Sequence, residues 1–417
     1  MRVLLVSDSY PPLIGGATRA VHLLASGLAR RGDLVTVATP WQAAAAPYEL
    51  IDGVQVHRLD GTWSRLWRVA RKEAIRLRYT PPPVPDPEVV WRLRRLIRKE
   101  RPDAVLSYGW ITYGTALALL GTGIPLVLSG RDYSNVCTLR TLLRRGEPCD
   151  GPALLKCLRC ARGEYGPVGS LVGVTAVLGQ RPLLRRRVRA IQSCSGYMQN
   201  ILRVHLFKAS DLERLGADVV IPDYRVESLT PRVAPLDKLP ASPYILFVGA
   251  LRTIKGIEVL FRAYDQLEDR PPLVLIGTRS LDPLPPLPPG AELFEAVPHE
   301  QVMAAWEGAL FGVAPSILPE PFGNVIHEAM SVGRTVIGTV PGGHGEMIIN
   351  GQTGLLVPSG DVDALADAMR LLLEQPELRK RLESGARDIS TRFTEAQQLP
   401  KFIELLEGIA LGGGHGS

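Results

Sequence analysis

Short β-branched runs alternate with stretches of helical period through both halves of the chain, and that alternation leaves few folds open to it. Residues 3–6, 34–38, 104–107 and 125–129 read as strands in the first half, and 244–248, 273–276, 312–314 and 335–337 in the second. Residues 19–31 place Val21, Leu24, Ala25 and Leu28 on one helical face, with Gly32 just past the end. Residues 257–269, 301–308 and 325–332 are the intervening helices of the second half, and 364–374 and 377–387 follow as helices. Strands separated by helices in this way make parallel sheets with helices on their faces, so the fold class is α/β.

At 417 residues the chain is too long for one ordinary core, and two domains are expected. The boundary falls at 228–242, where three prolines and no period make a semi-rigid linker. The expected division is therefore 1–227, with a cysteine-rich insertion at about 131–165, then 243–395, a last helix over 396–411, and a flexible tail at 412–417. A second proline cluster at 283–289 reads as a loop, and no repeat of 20–50 residues is present.

The segment from Pro315 to Met330 carries the most chemistry. Pro321 and Gly323 interrupt any helix after Glu320, so that carboxylate sits in a loop. Asn324 is then placed to cap a helix that carries Glu328 eight residues after Glu320. Free N–H groups at such a helix start attract phosphate, and the loop glycine admits a ligand closely. Two acceptor-only carboxylates beside a phosphate site suit a diphosphate joined to hydroxyl-rich rings, as in a nucleotide sugar.

Three glycine-bearing turns accompany it. Phe247-Val248-Gly249 leads through Arg252 and Lys255-Gly256 into a helix, a common way to hold phosphate. A plain turn with two solvated cations is the equal alternative. Pro341-Gly342-Gly343-His344-Gly345-Glu346 follows a strand, where adjacent glycines permit close ligand approach, and a plain loop is again the alternative. Tyr10-Pro11-Pro12 with Gly15-Gly16 lies between the first strand and first helix, where open α/β sheets bind ligands. It is not a G-x-G-x-x-G fingerprint, so a dinucleotide site is unsupported.

Taken together, these segments resemble the retaining glycosyltransferases of family 4, the glycogen-synthase-like and mannosyltransferase-like group. The matching residues are Tyr10-Pro11-Pro12 with Gly15-Gly16, Phe247-Val248-Gly249 with Lys255-Gly256, Glu320 with Glu328, Gly342-Gly343 with Glu346, and Asn350-Gly351 with Gly354-Leu355-Leu356-Val357. They run in order over nearly the whole chain. The resemblance implies a GT-B fold, two Rossmann-like domains facing across a cleft, with the last helix crossing back to the first domain. It implies a retaining, metal-independent transfer of a hexose from a nucleoside-diphosphate sugar, UDP favoured over GDP. Lys255 would bind the diphosphate, with Gly15 and Gly16 against it from the other domain. Glu320 would contact the donor sugar and act in catalysis, Glu328 would contact the ribose, and the amides of Phe322, Gly323, Asn324 and Val325 would line the pocket.

There are two departures from the family pattern. Ala250 stands where the family carries arginine, and Arg252 is near enough to substitute. Arg131-Asp132 stands where the family carries His-Asp, so Arg131 and Asp132 are the candidate catalytic pair of the first domain. Arginine stays charged and cannot serve as a base, but it can stabilise a leaving diphosphate. A structural ion pair is the other reading of Arg131. These departures motivate one alternative, a weakened homologue that binds a nucleotide sugar or a partner subunit. A sugar-nucleotide epimerase on the same fold is a second, since fold does not fix chemistry, although the missing histidine at Arg131 argues against it.

Cys137, Cys149, Cys157 and Cys160 follow within 24 residues, with Cys157 and Cys160 as a C-x-x-C. They are a candidate structural zinc set, with an iron–sulfur cluster less favoured and separate buried thiols an even alternative. Cys194 reads as a core thiol. Five cysteines in a chain of this size fit a reducing cytosol rather than a disulfide framework. The apolar start is too short for a signal peptide, and no apolar run approaches about 18 residues.

Residues 1–240 hold 35 lysines and arginines against 20 acidic residues, a net of +15, and the remainder holds 13 against 22, a net of −9. A basic front half calls for an anionic partner. Residues 63–78, 91–101 and 183–189 combine tryptophan or leucine with arginine at helical spacing, which fits an interfacial helix on anionic lipid. A solvated helix face is the alternative for each. No nucleic-acid motif accompanies the charge. The expectation is a cytoplasmic enzyme, peripheral on the inner membrane face, acting on a saccharide, phosphorylated or lipid-linked acceptor of the cell envelope.

Overall fold

The computed structural model describes the chain apart from residues 14, 44, 71–80, 227–235, 237–238, 241–242, 280–283 and 413–417. Most of the expected linker, and all of the expected tail except Gly412, lie outside the described residues. The chain divides into two units. One comprises Met1–Leu142, Cys149–Arg225 and the segment from Glu395 onward; the other comprises Leu143–Pro148 and Val226–Thr394.

The first unit is built on β1 (Arg2–Ser7), β2 (Leu34–Pro40), β3 (Tyr48–Ile51), β4 (Val54–Leu59), β5 (Ala104–Tyr108) and β6 (Leu126–Gly130). A separate two-stranded hairpin, β7 (Leu143–Arg144) and β8 (Glu147–Pro148), precedes β9 (Val188–Ser193) and β10 (Ala217–Val220). The eight-stranded sheet runs β10-β9-β6-β5-β1-β2-β4-β3. Every pairing is parallel except β3 on β4. The central strands are buried on both faces, which is why they read as continuous apolar runs.

The helix Gly16–Arg30 packs Val21, Leu24 and Leu28 onto that sheet, and Gly32 beyond it takes a left-handed φ of 99°. The final helix, Glu395–Gly412, adds Phe402, Leu405, Leu406 and Ile409 to the same core. Each fully buried side chain of this kind contributes about 1.5–3 kcal/mol. Arg30 and Arg31 pair with Glu395 and Glu407 at 2.5 and 2.7 Å, fixing that helix against the first.

The second unit has β11 (Tyr244–Val248), β12 (Leu273–Ile276), β13 (Ala291–Phe294), β14 (Ala309–Ala314), β15 (Val336–Val340) and β16 (Leu355–Pro358). Their order is β13-β12-β11-β14-β15-β16, with every pair parallel. Ile257, Leu260, Phe261 and Tyr264 of the helix Ile257–Asp265 join Leu365, Met369 and Leu372 of the helix Val362–Glu374 in its core.

Several elements depart from the sequence reading. The helix expected over 257–269 stops at Asp265, and Asp269 adopts a positive φ of 43°. Residues 183–189 divide between the helix Arg181–Arg187 and the start of β9, so that basic run is not one helical face. Asn324 is the first residue of the helix Asn324–Ser331 rather than its cap. The cap position belongs to Gly323, whose φ of 107° only glycine adopts freely.

Candidate functional site

Three loops leave the carboxyl ends of β11, β14 and β15 in the second unit, the end at which open parallel sheets bind ligands. After β11 the chain makes a tight turn at Thr253–Lys255 and passes through Gly256 into the helix Ile257–Asp265. Gly256 has φ 73°, and a Cβ there would lie 1.8 Å from the carbonyl oxygen of Pro315. Only glycine lets the two loops approach so closely. The backbone N–H groups of Ile317 and Leu318 donate to the carbonyl of Ile254 at 3.0 and 2.9 Å, stitching the loop after β14 to the lysine turn.

The loop after β15 holds the other side. A Cβ on Gly343 would come within 2.5 Å of the Pro321 carbonyl oxygen, and one on Gly342 within 2.9 Å of the Glu320 nitrogen. The Gly343 N–H donates to the Glu320 carbonyl at 2.7 Å, and the Thr339 hydroxyl donates to the Ser316 carbonyl at 2.8 Å. The close approach that this glycine pair permits is therefore to the backbone around Glu320.

Within this frame the Lys255 ammonium donates to Glu320 Oε1 at 2.5 Å, and the Ser316 hydroxyl donates to the same oxygen at 2.7 Å. Burial opposes ionisation of Glu320, but Lys255, His344 and Ser316 more than offset it, and its pKa lies below the ordinary glutamate value. His344 is buried and its pKa is lowered to about 4, chiefly by that burial.

The remaining expected donor residues fall around this centre. Arg252 is exposed and precedes the Thr253–Lys255 turn. Asn324 and Val325 open their helix, and Glu328 lies farther along it with Oε1 3.8 Å from His299 Nδ1. The Phe322 ring is buried edge-on against Phe393, 5.7 Å between centroids, so only its backbone is available to a ligand. Ser316, Thr339 and His344 were not foreseen as site residues, although His344 directly follows the glycine pair.

Gly15, Gly16, Arg131 and Asp132 belong to the first unit. Gly15 caps the helix Gly16–Arg30, and both glycines are exposed. Arg131 is buried, donates through Nε to the Ser129 hydroxyl at 3.0 Å, and forms a buried ion pair with Asp223 through Nη1. Ser129 donates to Gln192, whose amide donates to the Ile221 carbonyl. This chain ties the end of β6 to β9 and to the segment before Tyr224. Asp132 accepts from the Ser134 N–H at 2.9 Å and pairs with Arg140. Burial opposes its charge, yet Arg140 and Ser134 hold its pKa below the ordinary aspartate value.

Arg140 also reaches Asp8 at 3.2 Å and lies over the Trp110 ring. Asp8 in turn accepts from the Trp110 and Ile111 N–H groups at 2.9 and 2.8 Å, at the start of the helix Ile111–Ala118. Sequence reasoning did not find Asp8, Arg140 or Asp223; Asp8 and Asp223 meet partners 102 and 92 residues away, and Arg140 pairs with Asp132 only because the loop after β6 folds back on itself. Cys137, Cys149, Cys157 and Cys160 are half-buried and in no disulfide among the described residues, and Cys194 is buried. Among the described residues, no group of three or more His, Cys, Asp or Glu side chains is placed to hold a metal ion.

Comparison with known proteins gives matches over both units. A family model described as a glycosyl transferase 4-like domain matches residues 15–215, and one described as glycosyl transferases group 1 matches residues 234–389. The chain is 29% identical over 322 residues to D-inositol 3-phosphate glycosyltransferase of Xylanimonas cellulosilytica, covering 70% of this chain and 71% of that protein. It is 26% identical over 420 residues to glycogen synthase of Mycobacterium tuberculosis, covering 93% and 89%. Among solved structures, sucrose-phosphate synthase from Thermosynechococcus elongatus aligns over 99% of both chains with a TM-score of 0.75 at 20% identity. Anabaena HepE in complex with UDP-glucose aligns over 98% of this chain and 99% of its own, with a TM-score of 0.67 at 16% identity.

Proposed function

The chain belongs to glycosyltransferase family 4, with the two Rossmann-like domains of the GT-B fold, and from that premise we propose that it transfers a sugar from UDP-sugar to a hydroxyl of a saccharide or lipid-linked acceptor. The observation that carries this reading is the Lys255–Glu320 pair, held by glycine-dependent loops at the carboxyl ends of β11, β14 and β15. The UDP-glucose complex of Anabaena HepE supports a UDP-linked donor.

In this reading Lys255, Arg252 and the first N–H groups of the helix Asn324–Ser331 neutralise the donor diphosphate. Glu320 accepts from hydroxyls of the transferred sugar, and Glu328 from the ribose. The bond from the anomeric carbon to the leaving phosphate oxygen breaks as the acceptor oxygen attacks from the same face. The acceptor proton passes to that phosphate oxygen, so no protein base is required and configuration is retained. Lys255 and the helix amides supply the positive charge that the leaving diphosphate needs. Arg131 and Asp132 act by holding the loop after β6 through Asp223 and Arg140.

Peripheral contact with an anionic membrane face is part of the proposal. Leu66 and Val69 of the helix Thr62–Ala70 and the nearby Trp91 are exposed, which supports it. Arg65 and Arg92 pair with Glu88, and Arg68 with Asp60, which lowers the net charge those segments present. No helix among the described residues is long and apolar enough to cross a membrane.

The test is donor turnover followed by mass spectrometry in the wild type and Glu320→Ala. Slow hydrolysis of one UDP-sugar, reduced about ten- to a hundredfold in the variant, is expected from the loss of a charge-assisted contact to the transferred sugar. Unchanged turnover in the variant would refute the role of Glu320. Binding without turnover would favour a homologue that has lost catalysis.

A further inference from the structure

His344 follows the glycine pair after β15 and is 1% exposed. Its Nδ1 accepts a hydrogen bond from the Thr339 N–H at 3.2 Å, so that nitrogen carries no proton. With its pKa held down by burial, the ring is neutral at physiological pH and its one proton resides on Nε2. The Nε2–Cδ2 edge occupies the space that a side chain at position 323 would need. A Cβ on Gly323 would lie 2.6 Å from Cδ2 and 3.0 Å from Nε2. No described residue accepts a hydrogen bond from Nε2.

Glu320 is open in the complementary sense. Lys255 and Ser316 both donate to Oε1, and Oε2 has no hydrogen-bond partner among the described residues. His344 directly follows Gly343, whose N–H donates to the Glu320 carbonyl at 2.7 Å, so the two residues sit on adjoining stretches of backbone. An unpartnered N–H donor and an unpartnered carboxylate oxygen are therefore carried by two backbone segments that are hydrogen-bonded to each other, beside the Gly323 start of the helix Asn324–Ser331. A phosphate oxygen does not fit between them, because it only accepts and the carboxylate would repel it. A hydroxyl fits, because it accepts from one and donates to the other.

We infer that His344 is a positioning residue for the transferred sugar, its Nε2–H donating to a sugar hydroxyl that in turn donates to Glu320 Oε2. The inference rests on the nucleotide-sugar reading above and adds the group that complements Glu320. It also gives the glycine at 323 a second purpose, since any side chain there would displace the imidazole edge.

The test is calorimetric titration of the wild type, H344N and H344Q, each with the preferred nucleotide sugar and with its nucleoside diphosphate alone. Glutamine places an amide N–H near the Nε2 position, whereas asparagine reaches only the Nδ1 position. H344N should bind the nucleotide sugar about three- to tenfold more weakly, the worth of one neutral hydrogen bond. Its affinity for the diphosphate alone should stay within about twofold, and H344Q should recover most of the loss. Melting curves verify that both variants fold, and H344F, which keeps the bulk without a donor, replaces H344N if it does not. Equal weakening by the asparagine and glutamine variants, or equal loss for the diphosphate alone, would overturn the role. A wild type that binds the diphosphate but gains nothing from the sugar would overturn it while leaving the nucleotide site intact. A wild type that binds neither ligand would remove the donor reading and this inference with it.

Discussion

Glu320 owes its position to residues that contribute no side chain at all. Gly256 and Gly343 let two loops close on the backbone of residues 315–321 to distances that any Cβ would forbid, and the carboxylate is thereby set against Lys255. His344 packs into the same frame as a neutral ring, which makes stability depend on pH in a defined direction. Below the ordinary histidine value near 6.5 the unfolded chain takes a proton that the folded chain refuses until about pH 4. Stability present above pH 6.5 is therefore lost progressively as pH falls through that window. Between pH 7 and pH 5 the second unit should lose about 2 kcal/mol more in the wild type than in H344Q, read from urea unfolding of that unit. Equal losses would show that His344 titrates normally. At this scale the sequence was partly legible. Proline and glycine around Glu320 announce a loop, but nothing in the order of residues says that Gly343 will meet Pro321 or that His344 will meet Gly323. Arg131 is a similar case: its partner Asp223 lies 92 residues away, just past β10, and the sheet order β10-β9-β6 brings the two together.

The helix Glu395–Gly412 shows what an element can do when it packs far from its neighbours in sequence. Phe402, Leu405, Leu406 and Ile409 complete the core of the first unit beside the helix Gly16–Arg30, more than 360 residues away in the chain. Phe402→Ala should cost about 3–5 kcal/mol, the usual loss for removing a buried aromatic ring. The loss should appear in the unfolding of the first unit, followed by hydrogen exchange of β1 and β5, with the second unit unaffected. A loss confined to the second unit would contradict the placement of this helix. Long apolar strands such as β1, β5 and β11 were legible because burial on both faces leaves an unbroken apolar run. Four-residue strands such as β10 and β13 were not, since their residues are only partly buried and carry charges. The start of the helix Asn324–Ser331 was misplaced by one residue because Asn324 looks like a cap, while the left-handed turn at Gly323 already serves as one.

At the scale of the whole molecule, two sheets, parallel but for β3, each end in loops that carry charged side chains: Asp8, Asp132 and Arg140 in the first unit, Lys255 and Glu320 in the second. The division of charge, +15 over residues 1–240 and −9 over the rest, accompanies this pairing of folds. The family was legible from motifs in their order along the chain, because backbone–ligand and backbone–backbone approaches both demand glycine at fixed places. The donor and acceptor were not, because they depend on a few side chains whose neighbours are set by the folded loops. The proposed transfer requires that the loops around Lys255 and Glu320 bind a nucleoside-diphosphate sugar. The most direct test is calorimetric binding of the wild type to a panel of UDP-, GDP-, ADP- and dTDP-sugars. Selective binding of a UDP-sugar is expected, weakened about tenfold or more in Lys255→Ala by loss of a charge-assisted contact to phosphate. Failure to bind any member of the panel, or binding indifferent to Lys255, would contradict it.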